Sequence, residues 1–337
     1  MHNRSRWLTA TAMTAALLST TLLSATALPA AAEPPQVSVS LALTSFSDIA
    51  VDAAHGHVFV SSKADHAVAV TDLSGTAVTK LSNLPGARGL VLSPDGGTVF
   101  VALSEYGAIA ALDTLTLTER ARYPVGEVCP ADLAITNGRL YFSYGCTTWG
   151  AGIGRVALDG TGARTGLAFG HYSPQQLATT PARPGLLAAA QPSLSPSTLR
   201  VLREEGDGLA VQATRDAGSN LADVEFSTDG TQVHAAAGAP YSIQSYTSDT
   251  LAVRGSYNTG PYPVAVSTSA DTGALAAGTN STGTSVRIYP AGSLDVSRSY
   301  EVPDLHLASL AWGPGGQTVY AVGNRFGQPT QLYVLNA

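Results

Sequence analysis

A short apolar strand, a turn and a second apolar strand recur seven times along this 337-residue chain. The copies begin at residues 48, 89, 132, 176, 223, 263 and 309, which gives steps of 41, 43, 44, 47, 40 and 46 residues. Two clear copies are residues 89–96 followed by 99–101, and residues 223–230 followed by 233–235. A period of this length leaves room for four short strands in each unit.

One such unit cannot bury both faces of its sheet by itself. Seven twisted four-stranded sheets packed radially bury those faces on one another. The sequence therefore predicts an all-β fold, a seven-bladed β-propeller of four-stranded antiparallel blades. The last unit supplies three strands before Ala337, and a spare strand at residues 36–43 stands ahead of the first unit. We predict that this N-terminal strand completes the last blade and closes the ring. The fourth unit, which lacks the Asp-Gly turn, is the least regular copy.

The composition agrees with many strands joined by tight turns. Charged residues make up 12% of the chain, about half the usual share, while there are 34 glycines and 19 prolines. The formal net charge of −6 disfavours binding to anionic polymers, so no nucleic-acid partner is expected.

The N-terminus has the pattern of a secretory signal peptide. His2, Arg4 and Arg6 precede an apolar run from about residue 10 to residue 28, and Ala30-Ala31-Ala32 offers a cleavage site. A membrane anchor is the alternative, but threonines and serines interrupt the run. We therefore predict a signal peptide at residues 1–32, a single propeller domain at residues 33–337, secretion to the extracellular space, and no membrane span after cleavage.

The two cysteines, Cys129 and Cys146, flank a hairpin whose two-residue turn is Asn137-Gly138. This turn places the two thiols opposite each other, and a secreted protein would oxidise them to a disulfide bond. A redox pair or half of a metal site is the alternative, but the spacing is not that of a redox motif. No metal and no cofactor are predicted.

In a propeller, the loops from the fourth strand of one blade to the first of the next share one rim with the loops between second and third strands. Binding residues are concentrated on such loops. Aromatic residues are 7% of the chain, yet several map to this rim, and exposed aromatic rings bind sugars, peptides or apolar patches. Trp149 is the strongest candidate, since its loop is rich in glycine. The candidate ligand-binding residues are Trp149, Tyr106, Tyr172, Tyr241, Tyr262, Phe326, Arg88, Asp132, Asp223 and His306. The alternative for each aromatic residue is that it folds inward over a blade end.

Several repeat segments carry a family resemblance. Residues 109–116, 123–126 and 131–135 form a unit that resembles the YVTN-type propeller repeat, as do residues 260–267 and residues 92–102. The resemblance extends over the whole mature chain, although no copy ends its second strand in the full Tyr-Val-Thr-Asn. It implies the propeller scaffold, whereas members of the family have been associated with several different functions.

Two classes of function stay open. The first is a secreted, monomeric, non-catalytic scaffold that binds a protein, peptide or cell-envelope glycan on its rim. The second is a hydrolase, because the architecture also resembles bacterial lactonases, with Arg88, Asp132, Asp223 and His306 as candidates at the channel mouth. The chain has no Gly-x-Ser-x-Gly elbow and no His-Glu-x-x-His motif, so no catalytic residue is assigned and the scaffold is favoured.

Overall fold

Short antiparallel strands follow one another through almost all of the chain that the structure describes. The structure, a computed structural model, describes residues 37–324 and 327–337, with nothing stated for the side chains of residues 77 and 78. The predicted signal peptide therefore lies outside the described residues, as does Phe326. Within the described ranges, no helix has the length and apolar character needed to cross a membrane.

The strands form seven four-stranded sheets. The N-terminal strand is β1 (Val37–Ser40). Blade one contains β2 (Asp48–Asp52), β3 (His57–Ser62), β4 (Ala67–Asp72) and β5 (Ala77–Leu81). Blade two contains β6 (Ala87–Leu92), β7 (Thr98–Leu103), β8 (Ala108–Asp113) and β9 (Glu119–Pro124). Blade three contains β10 (Pro130–Thr136), β11 (Arg139–Tyr144), β12 (Ala151–Ala157) and β13 (Arg164–His171). Blade four contains β14 (Gln176–Thr179), β15 (Leu186–Ala190), β16 (Thr198–Glu205) and β17 (Gly208–Asp216).

The remaining blades repeat this plan. Blade five contains β18 (Ser219–Phe226), β19 (Gln232–Ala239), β20 (Ile243–Thr247) and β21 (Val253–Tyr257). Blade six contains β22 (Pro263–Thr268), β23 (Leu275–Thr279), β24 (Val286–Tyr289) and β25 (Arg298–Tyr300). Blade seven contains β26 (Leu305–Trp312), β27 (Thr318–Gly323) and β28 (Gln331–Asn336), with a 3₁₀ turn at Pro314–Gly316. The predicted seven blades are confirmed, including the irregular fourth, whose first strand has four residues.

The ring is closed by the N-terminal strand. β1 pairs antiparallel with β28, with Val37 opposite Val334 and Ser40 opposite Gln331. The seventh sheet thus has the order β1, β28, β27, β26, as the sequence predicted. Without β1, the edge of β28 would be left without a partner strand.

The core lies between blades, and this explains why the second strands are apolar on both faces. In β3, Val58 and Val60 pack towards blade seven with Tyr320, whereas Phe59 packs towards blade two with Val99. All of these side chains are almost fully buried. Successive strand residues point to opposite faces, so each blade contributes to two of the interfaces around the ring.

Buried tyrosines add hydrogen bonds across these interfaces. The Tyr320 hydroxyl donates to the carbonyl oxygen of Leu73 at 2.7 Å and links blade seven to blade one. The Tyr141 hydroxyl donates to Glu204 Oε1 at 2.6 Å and links blade three to blade four. Packing and hydrogen bonding therefore both run around the ring from blade to blade.

The Asn137-Gly138 hairpin has the predicted register only near its turn. Thr136 faces Arg139 and Leu133 faces Phe142, but a bulge then shifts the pairing so that Pro130 faces Tyr144. Cys129 is consequently opposite Gly145, whose N–H donates to the Cys129 carbonyl oxygen at 3.0 Å. The prediction that Cys129 lies directly opposite Cys146 was therefore wrong by one residue. The disulfide bond between Cys129 and Cys146 is nevertheless formed, because their Cα atoms remain 5.1 Å apart.

Candidate functional site

Two cavities occupy the rim end of the propeller, where the predicted binding loops meet. The first has a volume of about 730 Å³ and is formed mainly by blades seven, one and two, with lining residues that include Phe46, Lys63, Arg88, Glu105, Gln176, His306 and Leu307. The second has a volume of about 470 Å³ and is formed by blades four, five, six and seven, with lining residues that include Gln176, Pro192, Asn220, Leu221, Tyr262, Pro263, Asn280 and Leu307. We call them the polar cavity and the apolar cavity. Because they share Gln176 and Leu307, they adjoin each other at the mouth of the channel.

Arg88 supplies a positive charge to the polar cavity. It lies near the start of β6 and is half-buried, and burial lowers the pKa of its guanidinium while Asp132 opposes that shift. No carboxylate of the described residues lies within 4 Å of this guanidinium, and no described acceptor receives its N–H groups. A second cation, Lys63, is exposed, and its Nζ lies 4.0 Å from Glu105 Oε1. Arg88 therefore has hydrogen-bond donors available to a ligand.

His306 forms a wall of the same cavity. Its ring stacks on Phe46, with ring centroids 5.3 Å apart, and its Nε2 lies 3.0 Å from Asn324 Oδ1. Burial lowers the pKa of His306 below its ordinary value of 6.5, so the ring is uncharged at neutral pH. In that state Nε2 donates to the Asn324 oxygen, and His306 adds no positive charge to the cavity.

Asp132 and Asp223 line neither cavity and instead hold the inner strands together. Asp132 Oδ1 accepts from its neighbour Leu133 at 2.9 Å, and its Oδ2 accepts from Leu177 of blade four at 2.7 Å. Asp223 accepts in the same way from Val224 at 2.8 Å and from Val266 of blade six at 2.8 Å. The sequence assigned both carboxylates to ligand binding, and each has its two oxygens engaged by backbone N–H groups.

Asp48 repeats this arrangement between blades one and two. Its oxygens accept from Ile49 at 2.7 Å and from Leu90 at 2.6 Å. Three junctions of the ring, from blade one to two, three to four and five to six, thus carry the same carboxylate bridge. The signal in the sequence is an Asp at the first position of units one, three and five, of which Asp132 and Asp223 were predicted from the sequence to bind a ligand.

Burial raises the pKa values of these channel carboxyls, and the amide hydrogen bonds only partly offset it. The pKa of Asp132 is raised to about 6, while those of Asp48 and Asp223 are raised well above their usual range. Glu225, on the same inner strand as Asp223, has its pKa raised to about 8 by burial. Repulsion between the carboxylates contributes to the shifts of Asp48 and Asp223.

Four of the predicted aromatic residues are exposed on the rim, each more than half accessible to solvent: Tyr106, Trp149, Tyr241 and Tyr262. Two edge-to-face pairs form, Trp149 with Tyr172 and Tyr241 with Tyr262, each with centroids 5.3 Å apart. Tyr172 is half-buried beneath Trp149. Tyr106 lies under the guanidinium of Arg122, 5.1 Å from it.

Trp149 and Tyr262 have an unusual backbone conformation. Their φ values are +65° and +56°, in the left-handed region that bulky residues rarely adopt. The N–H of Trp149 donates to the Tyr172 carbonyl oxygen at 3.1 Å, which ties the loop between β11 and β12 to the connection between blades three and four. Backbone strain of this kind is concentrated at binding and active sites.

Gln175 lies in the rim loop between β13 and β14, but its side chain is buried. His171, the last residue of β13, is buried too, and its Nδ1 lies 3.2 Å from Arg200 Nη1. Burial, and next the positive charge of Arg200, lower the pKa of His171 to about 4. These two side chains therefore support the loop from inside.

Some lining residues were not anticipated from the sequence. Leu307 is exposed at the junction of the two cavities, and Phe46 and Asn220 were not singled out. The described residues contain no group of three or more His, Cys, Asp or Glu side chains arranged to hold a metal ion.

Comparison with known proteins identifies the fold. No family model matches the chain, and no curated protein matches it. Among solved structures, a chain of hydrazine synthase from Kuenenia stuttgartiensis superimposes with a TM-score of 0.71 at 16% identity, covering 89% of this chain and 97% of that chain. As many as 1608 chains of solved structures match. An architecture shared so widely, at such low identity, establishes the β-propeller and leaves the function to be argued from the site.

Proposed function

We propose that this protein is a secreted, non-catalytic binding scaffold that holds a protein, peptide or glycan ligand on the rim around its channel. The observation that carries the proposal is the concentration of exposed aromatic rings on the loops at one end of the ring, where Tyr262 lines one of two adjoining cavities. Rings of this kind supply large contact areas at a low cost in conformational entropy.

The hydrogen bonding of the polar groups also favours binding over catalysis. The hydrolase alternative needs Asp132 and Asp223 at the mouth, but both oxygens of each carboxylate accept backbone N–H groups. Arg88 and His306 line the polar cavity together with Glu105, but Glu105 pairs with Lys63, and no carboxylate of the described residues lies within 4 Å of the Arg88 or His306 side chain. The hydrolase alternative therefore gains no support from the geometry.

Secretion and membership of the YVTN-type family belong to the same proposal. The signal-like N-terminus and the disulfide bond between Cys129 and Cys146 are what a protein exported to an oxidising compartment would carry. The repeat segments quoted above favour the family.

The test is a ligand screen on protein recovered after export of the full-length chain. Thermal-unfolding midpoints are measured against cell-envelope glycan fragments, peptides and lactones, since a ligand raises the midpoint by mass action. We expect a glycan or peptide to raise it, and Trp149→Ala or Tyr262→Ala to reduce that rise. Leu115→Ala, which removes an exposed apolar side chain from the turn between β8 and β9 at the opposite end, is the matched control. A rise that is equal in the rim variants and the parent would contradict the proposal, and turnover of a lactone would favour the hydrolase.

A further inference from the structure

The two cavities at the channel mouth differ in chemistry and adjoin each other. The polar cavity contains Arg88 and Lys63, whereas the apolar cavity is lined by Tyr262, Leu221 and proline rings. Gln176 and Leu307 belong to both. A ligand that reaches into both cavities would meet a positive charge in one and apolar surface in the other.

The structure explains why the charge of Arg88 is available. Asp132 is the carboxylate that influences Arg88 most, but its two oxygens are occupied by the N–H groups of Leu133 and Leu177. The guanidinium therefore has five N–H donors without a described protein acceptor, in a cavity that is open to solvent. A half-buried arginine of this kind is stabilised by an anion that can accept from two of its N–H groups at once.

The apolar cavity limits the kind of anion. Leu307 and Tyr262 are each more than half exposed, although both are large apolar side chains next to the polar cavity. Covering them would release water from apolar surface, which favours a ligand with an apolar group close to its charge. Glu105 also lines the polar cavity, and its negative charge disfavours a second negative charge on the ligand.

We infer that the channel mouth binds an organic monocarboxylate, with the carboxylate on the Arg88 guanidinium and an adjoining apolar group on Leu307 and Tyr262. This inference rests on the proposed binding function and adds the chemical class of the ligand. The free C-terminus of a peptide ending in Leu or Phe has this chemistry, and so does a small aryl or alkyl acid.

The experiment compares acids with their amides. The probes are N-acetyl-Phe, N-acetyl-Leu and pentapeptides ending in Phe or Leu, each as the free acid and as the C-terminal amide, titrated calorimetrically into the exported protein. We expect the acids to bind at least about tenfold more tightly than the amides, as the loss of a charge-assisted hydrogen bond implies. A preference for the pentapeptides over the acetylated amino acids would identify a peptide C-terminus as the source of the carboxylate.

Variants separate the two halves of the site. Arg88→Gln should abolish the difference between acid and amide, and Arg88→Lys should retain part of it. Leu307→Ser should weaken acid and amide by the same factor. Arg254→Gln is the matched control, because it makes the same change of charge at an exposed position on β21, in the outer strand of blade five.

The outcomes distinguish this inference from the proposed function. Equal binding of acid and amide, or a difference that survives in Arg88→Gln, would overturn the carboxylate inference while rim binding stands. No saturable binding of any probe at millimolar concentration would also overturn it. The rim-binding proposal itself fails only if Trp149→Ala and Tyr262→Ala leave the ligand-induced rise of the unfolding midpoint unchanged.

Discussion

The polar groups inside the channel and those on the rim are used in opposite ways. In the channel, Asp132 has both oxygens committed to backbone amides of two blades. On the rim, Arg88 has donors without a described protein acceptor, and Trp149 exposes 63% of its surface. The difference teaches that charge near the axis of this propeller is a poor guide to function. A polar group whose hydrogen bonds are all made within the protein is a structural residue. A polar group with hydrogen-bond donors or acceptors left over is a candidate binding residue.

The carboxylate bridges should therefore be the most sensitive positions in the molecule. Asp132→Ala removes two hydrogen bonds to a charged acceptor and leaves the N–H groups of Leu133 and Leu177 without a partner inside the ring. We expect the free energy of unfolding to fall by about 4 kcal/mol, measured by urea denaturation. Asp159→Ala is the control, since Asp159 caps an exposed turn through Thr161, and we expect a loss below about 1 kcal/mol. Equal losses in the two variants would contradict the structural role of the bridge.

The channel should also make stability depend on pH. Glu225 has a pKa of about 8 in the folded protein, against 4.5 for an unperturbed glutamate, so the folded state binds this proton more tightly than the unfolded state. Its contribution to the free energy of unfolding is present at low pH and is lost as the pH rises towards 8. Between pH 5 and pH 8 the loss is on the order of 3 kcal/mol.

Glu225→Gln isolates this effect, because glutamine keeps the shape of the side chain but does not titrate. Urea denaturation at pH 5, 6.5 and 8 should give a flatter dependence of stability on pH for this variant than for the parent. Glu119→Gln, on β9, is the control, because Glu119 pairs with Arg122 on the surface and should leave the dependence unchanged. A slope that persists in Glu225→Gln would assign the pH dependence to other channel carboxyls.

The disulfide bond joins Cys129, just before β10, to the loop that carries Trp149. The Cys129→Ser and Cys146→Ser double variant removes a cross-link between residues 17 positions apart in the sequence. Because the unfolded chain then gains conformational entropy, we expect the free energy of unfolding to fall by about 3 kcal/mol. Because Trp149 is three residues from Cys146, rim binding should weaken as well. Unfolding measured with and without a reductant checks the first expectation. A parent protein whose stability does not change on reduction would contradict it.

The repeat made almost all of the fold predictable. Seven copies with alternating apolar residues fixed the number of blades, and the unpaired strand at residues 36–43 indicated how the ring closes. The hairpin at Asn137-Gly138 was predictable up to Leu133, beyond which a bulge displaced Cys129 by one residue. A bulge depends on what the neighbouring strands require, which a single hairpin sequence does not show.

The candidate site was only partly predictable for the same reason. The exposed aromatic residues Trp149, Tyr106, Tyr241 and Tyr262 were found from their place in the loops. The role of Asp132 was not, because its acceptor function depends on Leu177, 45 residues further along the chain. Leu307 was missed because it lies inside a register shift between Leu305 and Leu310, where alternation no longer indicates which way a side chain points.

The rim should tolerate substitutions that the interior does not. Trp149→Ala should change the free energy of unfolding by no more than about 0.5 kcal/mol. Trp312→Ala should cost about 3 kcal/mol, because the half-buried indole of Trp312 packs between blades and its Nε1 donates to the Ser267 carbonyl oxygen at 3.0 Å.

A glycine at position 149 sharpens the contrast. Trp149→Gly and Trp149→Ala both remove the ring, but only glycine adopts a φ of +65° without steric cost. Trp149→Gly should therefore be more stable than Trp149→Ala by about 1 kcal/mol, with ligand binding weakened equally in the two variants. Chemical denaturation of both proteins measures the difference. If the two variants were equally stable, the loop would not be strained at Trp149, and the exposed ring would remain the sole argument for a binding role at this position.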